Sequence, residues 1–368
     1  MNPADLPDAV VRAVRCAVGD GELGAGVVLP GRVVVERTRP GGVGDYATPV
    51  ALQLAKGARC APGDVARVLA RRLGREAGIE RVEVTGPGFL NFVLPAPSAP
   101  LVIADVCAGG GPLAPVDGDT GPGLRERVVR ESVARLLRSQ GSGQGGSQAS
   151  GQAGSGQASG QGGSGRGGGQ ASSQAGSGQA GSQGSSQAGS GQGASECDVL
   201  AGLVVAPLAK RDADVVARYG ADAARWAMLA VPARETPAFC DALLVQGEGS
   251  EFFRVRYAHA RSRALLRNAA DLGFGPAVGE VDAPALLRAL AEHRLVLEAA
   301  GHHRAPERLT RHLVEVADAL LDFQYRVLPH GDEKPSAAHR ARLALAEAAG
   351  TVLAGGLALL GIDAPERL

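Results

Sequence analysis

A low-complexity tract in the middle of the chain sets the first limit on its fold. From Ser139 to Ser195 the chain contains only Gly, Ser, Gln and Ala, apart from Arg166. A tract without apolar side chains larger than alanine cannot bury enough surface to offset the chain entropy lost on folding. We therefore expect a disordered linker at residues 139–195 that spans roughly 40 Å, with folded sequence on both sides.

The clearest amphipathic pattern lies after this tract, in residues 251–270. At 100° per residue the apolar side chains fall on one arc, which predicts a core-facing helix. They are Val255, Ala258, Leu265, Leu266 and Ala269. Arginines line both flanks of this stripe, and Phe253 and Tyr257 share the remaining arc. Rings and guanidinium groups together suit stacking on unpaired bases and holding phosphates. The alternative is a solvated basic helix without a ligand.

The N-terminal segment predicts a small α+β domain, an antiparallel sheet with helices. Gly86-Pro87-Gly88 would form the turn between its last two strands. The spacing of apolar residues predicts helices at 6–18, 46–56 and 62–77 and strands at 27–36, 81–85 and 89–94.

Beyond residue 251 the pattern is helical to the end of the chain. Asp282 is positioned to cap a helix that runs to Leu297, and Pro306 starts another. A last helix rich in Ala and Leu is expected from Ser336 to Leu360. These helices predict an all-α bundle held by aliphatic packing.

Composition limits the classes of function. The formal net charge is zero, so charge gives no independent support for a nucleic-acid partner. The five cysteines are far apart and form no CxxC pair, which indicates neither a disulfide framework nor a zinc site. His302, His303 and His312 lack a supporting carboxylate or cysteine pattern, so we expect surface histidines and no metal. The N-terminus lacks a basic leader and no apolar run reaches membrane-spanning length, which predicts a soluble cytoplasmic protein.

Three stretches in the C-terminal segment carry a family signature. They are Tyr257-Ala258-His259-Ala260-Arg261, Pro306-Glu307-Arg308-Leu309 and the closing GLALLGIDAPERL at 356–368. Together they resemble the anticodon-binding domain of arginyl-tRNA synthetases, a helical bundle that reads the anticodon loop. The resemblance implies that Tyr257, Arg261, Phe323 and Tyr325 contact the anticodon. Arg256 and Arg263, on the flank of the apolar stripe, are candidate phosphate contacts by residue type. The chain departs from the family at Gln324, where a tyrosine is common, and at Leu368, where methionine is usual.

Two stretches near the N-terminus carry a second signature. Gly44-Asp45-Tyr46-Ala47-Thr48 and Gly86-Pro87-Gly88-Phe89-Leu90-Asn91-Phe92 resemble the appended N-terminal domain of the same family, which contacts the tRNA D-loop. The resemblance implies that Phe89 stacks on a base and that Asn91 reads a base edge. The alternative is that Phe89 faces the core and Asn91 satisfies a turn. Val43 stands where the family usually has histidine.

The catalytic motifs of this family are missing. Class I synthetases stabilise charge on ATP through the histidines of a HIGH-type motif and the lysines of a KMSKS-type motif. No histidine precedes His259, so a HIGH motif cannot stand in its expected place. Its surroundings persist as Thr120-Gly121-Pro122 and residues 133–138, and residues 212–231 resemble the segment after the second motif. Lys210 stands near the second motif as a candidate phosphate contact, or as an ordinary surface charge.

These expectations divide the chain into five parts. Residues 1–98 form the N-terminal domain and 251–368 the DALR-type anticodon-binding bundle, while 99–138 and 196–250 are remnants of a catalytic α/β domain around the linker at 139–195. The resemblance implies a non-catalytic relative of arginyl-tRNA synthetase, of the kind described as synthetase-related anticodon-binding proteins. Its expected partner is a tRNA, arginine tRNA first, held at the D-loop and the anticodon together, with no cofactor and no membrane.

Two other functions stay open. The chain could be a subunit of an active arginine-tRNA ligase whose partner supplies the ATP site, and ATP would be a cofactor only in that case. It could also be a protein-interaction scaffold that no longer contacts RNA, which fits the neutral charge. A bound tRNA could be protected, used in regulation or presented to another enzyme.

Overall fold

The computed structural model describes residues 1–39, 41–109, 123–141, 200 and 202–368. Thr120-Gly121-Pro122 and nearly all of the predicted linker lie outside the described residues. Residues 139–141, at the start of that tract, continue a helix instead.

The N-terminal domain is a four-stranded antiparallel sheet packed against three helices, which confirms the predicted α+β class. Its helices α1 to α3 span Leu6–Gly19, Val50–Ala58 and Pro62–Leu73. Its strands β1 to β4 span Glu36–Arg37, Tyr46–Thr48, Arg81–Thr85 and Phe89–Val93, in the order β1-β2-β4-β3. The apolar stripes of the three helices and one face of β4 form a single core, in which Leu54, Leu69 and Phe92 are fully buried.

Three boundaries predicted for this domain were wrong. The predicted strand at 27–36 pairs only at Glu36–Arg37, although Val33 and Val35 are buried. The helix predicted from Tyr46 starts at Val50, because Tyr46–Thr48 pair with β4 and Pro49 has no N–H to extend that ladder. The helix predicted to 77 ends at Leu73, before the weak helix former Gly74.

The rest of the described chain is helical and shares one hydrophobic core. Helices α4 to α7 span Ala99–Gly109, Leu124–Gly141, Asp212–Tyr219 and Ala221–Leu229. Helices α8 to α11 span Glu251–Asp271, Pro284–His303, Pro306–Phe323 and Ala337–Leu360. The segments predicted as catalytic remnants supply Leu136 of α5 and Trp226 of α7 to this core, so they pack as part of the bundle.

Local sequence signals set the helix ends in the bundle. The Ser250 hydroxyl accepts a hydrogen bond from the backbone N–H of Phe253 at 3.3 Å and caps α8, and Ser336 caps α11 in the same way. The prediction that Asp282 caps the next helix was wrong. Helix α9 starts at Pro284 after Ala283, without a side-chain cap, and continues past Leu297 to His303.

Both described flanks of residues 142–199 return to the C-terminal half of α9. On one side the Gln140 side chain donates a hydrogen bond from Nε2 to the Leu297 carbonyl oxygen at 3.0 Å. On the other side a side-chain carbon added at Gly202 would lie 3.5 Å from Arg304 Nη1. Leu297 and Arg304 are about two helical turns apart, roughly 10 Å. The two described flanks therefore lie near the same end of α9.

Helix α11 is long and apolar enough to cross a membrane by length and composition. The prediction that no apolar run reaches membrane-spanning length was therefore wrong. However, 72% of the apolar window of α11 is buried inside the bundle, as expected for a core helix. It approaches α8 closely where the Ser262 hydroxyl donates to the Ala346 carbonyl oxygen at 2.8 Å. At Gly350 an added side-chain carbon would overlap that hydroxyl and lie 2.9 Å from Ser262 Cβ. Glycine is therefore required for this packing distance.

This contact predicts opposite effects for two glycine substitutions in α11. Gly350→Ala should lower the free energy of unfolding by about 1–3 kcal/mol, because the new methyl group forces α8 and α11 apart. Gly355→Ala is the control, since nothing lies within 4 Å of its added carbon. It should raise stability by up to about 1 kcal/mol through helix propensity. Urea unfolding followed by circular dichroism measures both, and equal effects would contradict the packing described.

Candidate nucleic-acid interface

The exposed flank of α8 carries a stacked pair of aromatic rings. Phe253 and Tyr257 are one helical turn apart, with ring centroids 5.6 Å apart and an interplanar angle of 12°. Tyr257 is 38% exposed, so one of the two rings is open to solvent. Val255, Ala258, Leu265 and Ala269 are buried on the opposite face, as the periodicity predicted. Helix α8 therefore packs by one side and presents rings on the other.

Arg261 bonds to the turn that carries a second exposed tyrosine, Tyr325. It lies one turn after Tyr257, and its Nε donates a hydrogen bond to Gln324 Oε1 at 2.6 Å. Gln324 opens the 3-10 turn Gln324–Arg326 that follows α10, and the next residue, Tyr325, is 68% exposed. One hydrogen bond thus joins Arg261, one turn after Tyr257, to the residue that precedes Tyr325.

The fourth predicted contact, Phe323, belongs to the core. Its side chain is 5% exposed and continues the apolar stripe of α10, whose buried members are Leu309, Leu313, Val316 and Leu320. The sequence prediction overlooked this continuation of the stripe. Because a buried ring is not available to stack on a base, we do not include Phe323 in the interface.

The three predicted phosphate contacts have different surroundings. The Arg256 guanidinium lies 5.2 Å from the centroid of the Phe252 ring. Arg263 forms a 3.0 Å ion pair with Glu366 from the C-terminal segment, which offsets its charge. Lys210 precedes α6 and lies over the Tyr219 ring at 5.8 Å, on a segment separate from α8.

The C-terminal segment is fixed along α8 by further hydrogen bonds. His259 donates from Nδ1 to the Pro365 carbonyl oxygen at 2.9 Å, and Arg267 donates to the Glu366 carbonyl oxygen at 3.3 Å. Burial of its ring lowers the pKa of His259, so the neutral imidazole is favoured. The closing residues of the family signature thus complete one edge of this helix.

In the N-terminal domain, Phe89 and Asn91 lie on β4 with different exposure. Phe89 is 38% exposed, so the alternative that it faces the core was wrong. Asn91 is only 5% exposed. Its amide nitrogen donates to Thr85 Oγ1 at 2.8 Å and to the Glu83 carbonyl oxygen at 3.4 Å, both on β3. The ring is available for stacking, whereas the Asn91 amide nitrogen is engaged within the sheet.

A polar junction, which no local sequence pattern predicted, joins the two domains. Glu292 of α9 is 4% exposed, and both of its oxygens accept hydrogen bonds from the N-terminal domain. The Tyr46 hydroxyl donates to Oε1 at 3.0 Å and Arg37 Nη1 donates to Oε2 at 3.3 Å. Burial raises the pKa of the Glu292 carboxyl and of the Tyr46 hydroxyl. We call Glu292, Tyr46 and Arg37 the Glu292 junction.

Other contacts support this junction. Arg32 pairs with Glu298 at 2.9 Å, and Arg308 pairs with Glu36 at 3.0 Å. Leu295 of α9 is buried in the core of the N-terminal domain. A cleft of about 170 Å³ remains beside Glu292, so apolar packing across this boundary is incomplete. Docking of the two domains therefore depends substantially on the polar contacts.

Two imidazoles lie beneath this boundary. The prediction that His312 is a surface residue was wrong, because it is buried and stacks on His293 with ring centroids 5.4 Å apart. Neither His312 nitrogen has a hydrogen-bond partner among the described residues. Burial lowers the pKa of His293 to about 4 and that of His312 well below its ordinary value. His302 and His303 are exposed, as predicted, and the described residues contain no group of three potential metal ligands.

Comparison with known families assigns the two ends of the chain. The DALR anticodon binding domain matches residues 255–368, and the arginyl tRNA synthetase N terminal domain matches residues 12–94. With the small sheet, the helical bundle and the exposed edge of α8, these matches define a protein of the aminoacyl-tRNA synthetase type with an anticodon-binding domain.

Full-length comparisons agree with this class. An arginine-tRNA ligase of Frankia alni is 29% identical over 555 aligned positions that cover all of both proteins. Since this chain has 368 residues, a large part of that relative has no counterpart here. The structure of arginyl-tRNA synthetase from Thermus thermophilus has the same fold, with a TM-score of 0.57 and 14% identity over all of both chains. The chain is an arginyl-tRNA synthetase-related protein.

The buried histidines predict a loss of stability in acid. Because the pKa of His312 is lower in the folded protein than in the unfolded chain, its neutral form contributes stability at pH values above about 6.5. That contribution is lost progressively as the pH falls below that value. His312→Leu, of similar size, should flatten the dependence of unfolding free energy on pH by about 1–3 kcal/mol over this range.

Urea unfolding at pH values between 7 and 4.5 measures this difference. The buried carboxyls with raised pKa values act in the opposite direction, but they are present in both proteins and cancel in the comparison. An unchanged slope in His312→Leu would contradict the assignment.

Proposed function

We propose that this protein binds tRNA, with arginine tRNA as the expected ligand, and that it does not activate an amino acid. The observation that carries the proposal is the exposed edge of α8 and the adjoining turn, where Arg261, one turn after the exposed Tyr257, bonds to Gln324, the residue before the exposed Tyr325. Exposed rings beside a guanidinium group are the arrangement that binds unpaired bases of an RNA loop. This edge belongs to the part of the chain that matches an anticodon-binding family.

Each group in this edge has a separate task. The exposed Tyr257 ring, supported from behind by Phe253, offers a flat surface for one base, and Tyr325 offers a second. The Gln324 contact uses Nε of Arg261 and fixes the direction of the side chain. Its terminal nitrogens can then donate to a phosphate or to a base edge.

A second contact would come from the N-terminal domain. Phe89 stands at the start of β4 with its ring partly open to solvent, and the family assigned to this domain suggests the tRNA D-loop as its target. Binding at two places on one tRNA can raise affinity far above that of either site, provided that the spacing fits. A chain with no net charge needs such a gain, because it has little general attraction to the phosphate backbone.

The absence of amino-acid activation is supported by the sequence. There is no histidine before His259, so the HIGH-type motif is missing. Within the described residues, the β-structure is the antiparallel N-terminal sheet, which lacks the parallel strands of a nucleotide-binding α/β domain. The resemblance to a full-length arginine-tRNA ligase favours one alternative, a ligase subunit whose partner supplies the ATP site.

Substitution of the exposed rings tests the tRNA contacts. Tyr257→Ala and Phe89→Ala should each weaken binding of total tRNA by roughly 5- to 100-fold, the loss expected for one stacked base. Tyr257→Phe and Phe89→Tyr keep a ring and should bind nearly as well as the wild type. Gel-shift titration at low salt is the measurement, because binding to phosphates weakens as salt rises. If the wild type gives no shift, the scaffold function is favoured instead.

The second test concerns amino-acid activation. The purified protein should show no arginine-dependent exchange between ATP and pyrophosphate, because it lacks the groups that stabilise charge on ATP. An arginyl-tRNA synthetase with both motifs serves as the positive control. Exchange above background in the purified chain would refute the non-catalytic proposal, whereas exchange that requires a co-purifying partner would support the ligase-subunit alternative.

A further inference from the structure

We propose that Glu292 is a positioning residue for tRNA recognition, which holds the N-terminal domain on the bundle so that Phe89 and Tyr257 contact one tRNA at a fixed separation. This inference rests on the proposed tRNA binding and adds to it a residue that contacts no RNA. The observation behind it is that both oxygens of Glu292, a residue only 4% exposed, are bonded to the other domain.

Burial distinguishes Glu292 from the other charges at this boundary. Arg32, Glu298, Arg308 and Glu36 keep roughly a third to a half of their side chains in water, so each of their pairs contributes little. The side chain of its donor Arg37 is 52% exposed, so the contrast lies in the carboxylate and not in the arginine. A buried carboxylate is stabilised by both of its donors, because the loss of one leaves its charge poorly compensated. Glu292 therefore favours the single arrangement in which Tyr46 and Arg37 reach it.

On the N-terminal side, the position of Tyr46 is coupled to that of Phe89. Tyr46 pairs with Phe92 in the β2–β4 ladder, and Phe89 begins the same strand β4. Asp45, the preceding residue, donates its backbone N–H to the Phe92 carbonyl oxygen at 2.7 Å. Its carboxylate also accepts from the N–H of Leu94 at 3.1 Å. A domain held through Tyr46 therefore holds β4 in place.

On the bundle side, Glu292 is coupled to Tyr257 through two helices. Helix α9, which bears Glu292, packs on α10. Asp318 of α10 accepts two hydrogen bonds from Arg254 of α8, at 2.9 and 3.3 Å. Tyr257 lies on α8 between Arg254 and Arg261, and both arginines are bonded to α10 or to the turn after it. The path from Phe89 to Tyr257 thus runs through packed elements.

This geometry determines how two weak sites combine. The effective concentration of the second site depends on how narrowly its distance from the first is distributed. Direct docking sets that distance through the Glu292 junction, independently of residues 142–199. Loosening the junction should therefore lower the affinity for a complete tRNA and leave the affinity of each separate site unchanged.

The experiment compares two RNAs on the full chain. Glu292→Gln and Tyr46→Phe should each weaken binding of intact tRNA by roughly tenfold, while binding of an isolated anticodon stem-loop stays at the wild-type value. Tyr257→Ala should weaken both RNAs. Glu76→Gln is the matched control, since Glu76 faces Arg12 in a solvent-exposed pair away from the boundary.

A distance measurement separates this inference from the proposed function. Spin labels on Cys60 and Cys240, both exposed, with the other cysteines replaced by serine, report the distance between the domains by pulsed electron resonance. The distribution should be narrow in the wild type and broad in Tyr46→Phe, which removes one hydroxyl and serves as the second variant should Glu292→Gln fail to fold.

The outcomes are distinct. Unchanged affinity for intact tRNA in a variant with a broadened distance overturns the positioning role, and so does an unchanged distance in both variants. Equal losses for both RNAs in a folded junction variant also overturn it. If the wild type binds neither RNA, the proposed function fails, and the positioning role fails with it even where the distances behave as expected.

Discussion

The arrangement of the two domains depends on the hydrogen bonds to one buried carboxylate, that of Glu292. Glu292 projects from the bundle into the domain boundary, where its own side chain is almost fully buried and two donors from the N-terminal sheet satisfy its oxygens. An uncompensated charge at such a site would cost several kcal/mol. The sheet, with Phe89 on β4, is therefore held in one orientation on the helices that present Tyr257. Apolar packing alone would select this orientation less sharply, because a cleft interrupts it.

The bundle has also incorporated the segments that flank residues 142–199. Arg125 of α5 is almost fully buried, and it donates to the carbonyl oxygens of Ala206 and Pro232 at 2.7 and 3.0 Å. Trp226 of α7 packs against Phe252 of α8 with ring centroids 5.9 Å apart. These contacts join sequence from both sides of the gap to the first helix of the anticodon-binding domain. The segments are therefore structural parts of the bundle, whatever catalytic role their relatives have.

Periodicity predicted most of the architecture, because burial of one helix face leaves a regular trace in the sequence. It placed α8 and α11 within a residue or two, gave the start of α10 but continued that helix to Val327, beyond its end at Phe323, and assigned Val255, Leu265 and Ala269 to the core. Periodicity did not separate Phe323, which is buried, from Tyr325, which is open, since that difference arises where α10 gives way to a turn. The Glu292 junction has no local signal, because its donors are far away in the sequence. Only an acidic residue within an apolar helical stretch could have indicated a buried partner.

The described flanks of residues 142–199 lie close to the C-terminal end of α9. This position affects which insertions the fold can accept. Gln140 bonds to α9, and Gly202 lies beside the side chain of Arg304, which directly follows α9, so the two described ends lie near the same end of this helix. Closing a long loop between neighbouring ends costs only slightly more entropy than closing a short one. Whole modules can consequently be gained or lost at this point while the surrounding helices keep their contacts. On this reasoning, the bundle tolerates insertions of very different length between Gln140 and Gly202.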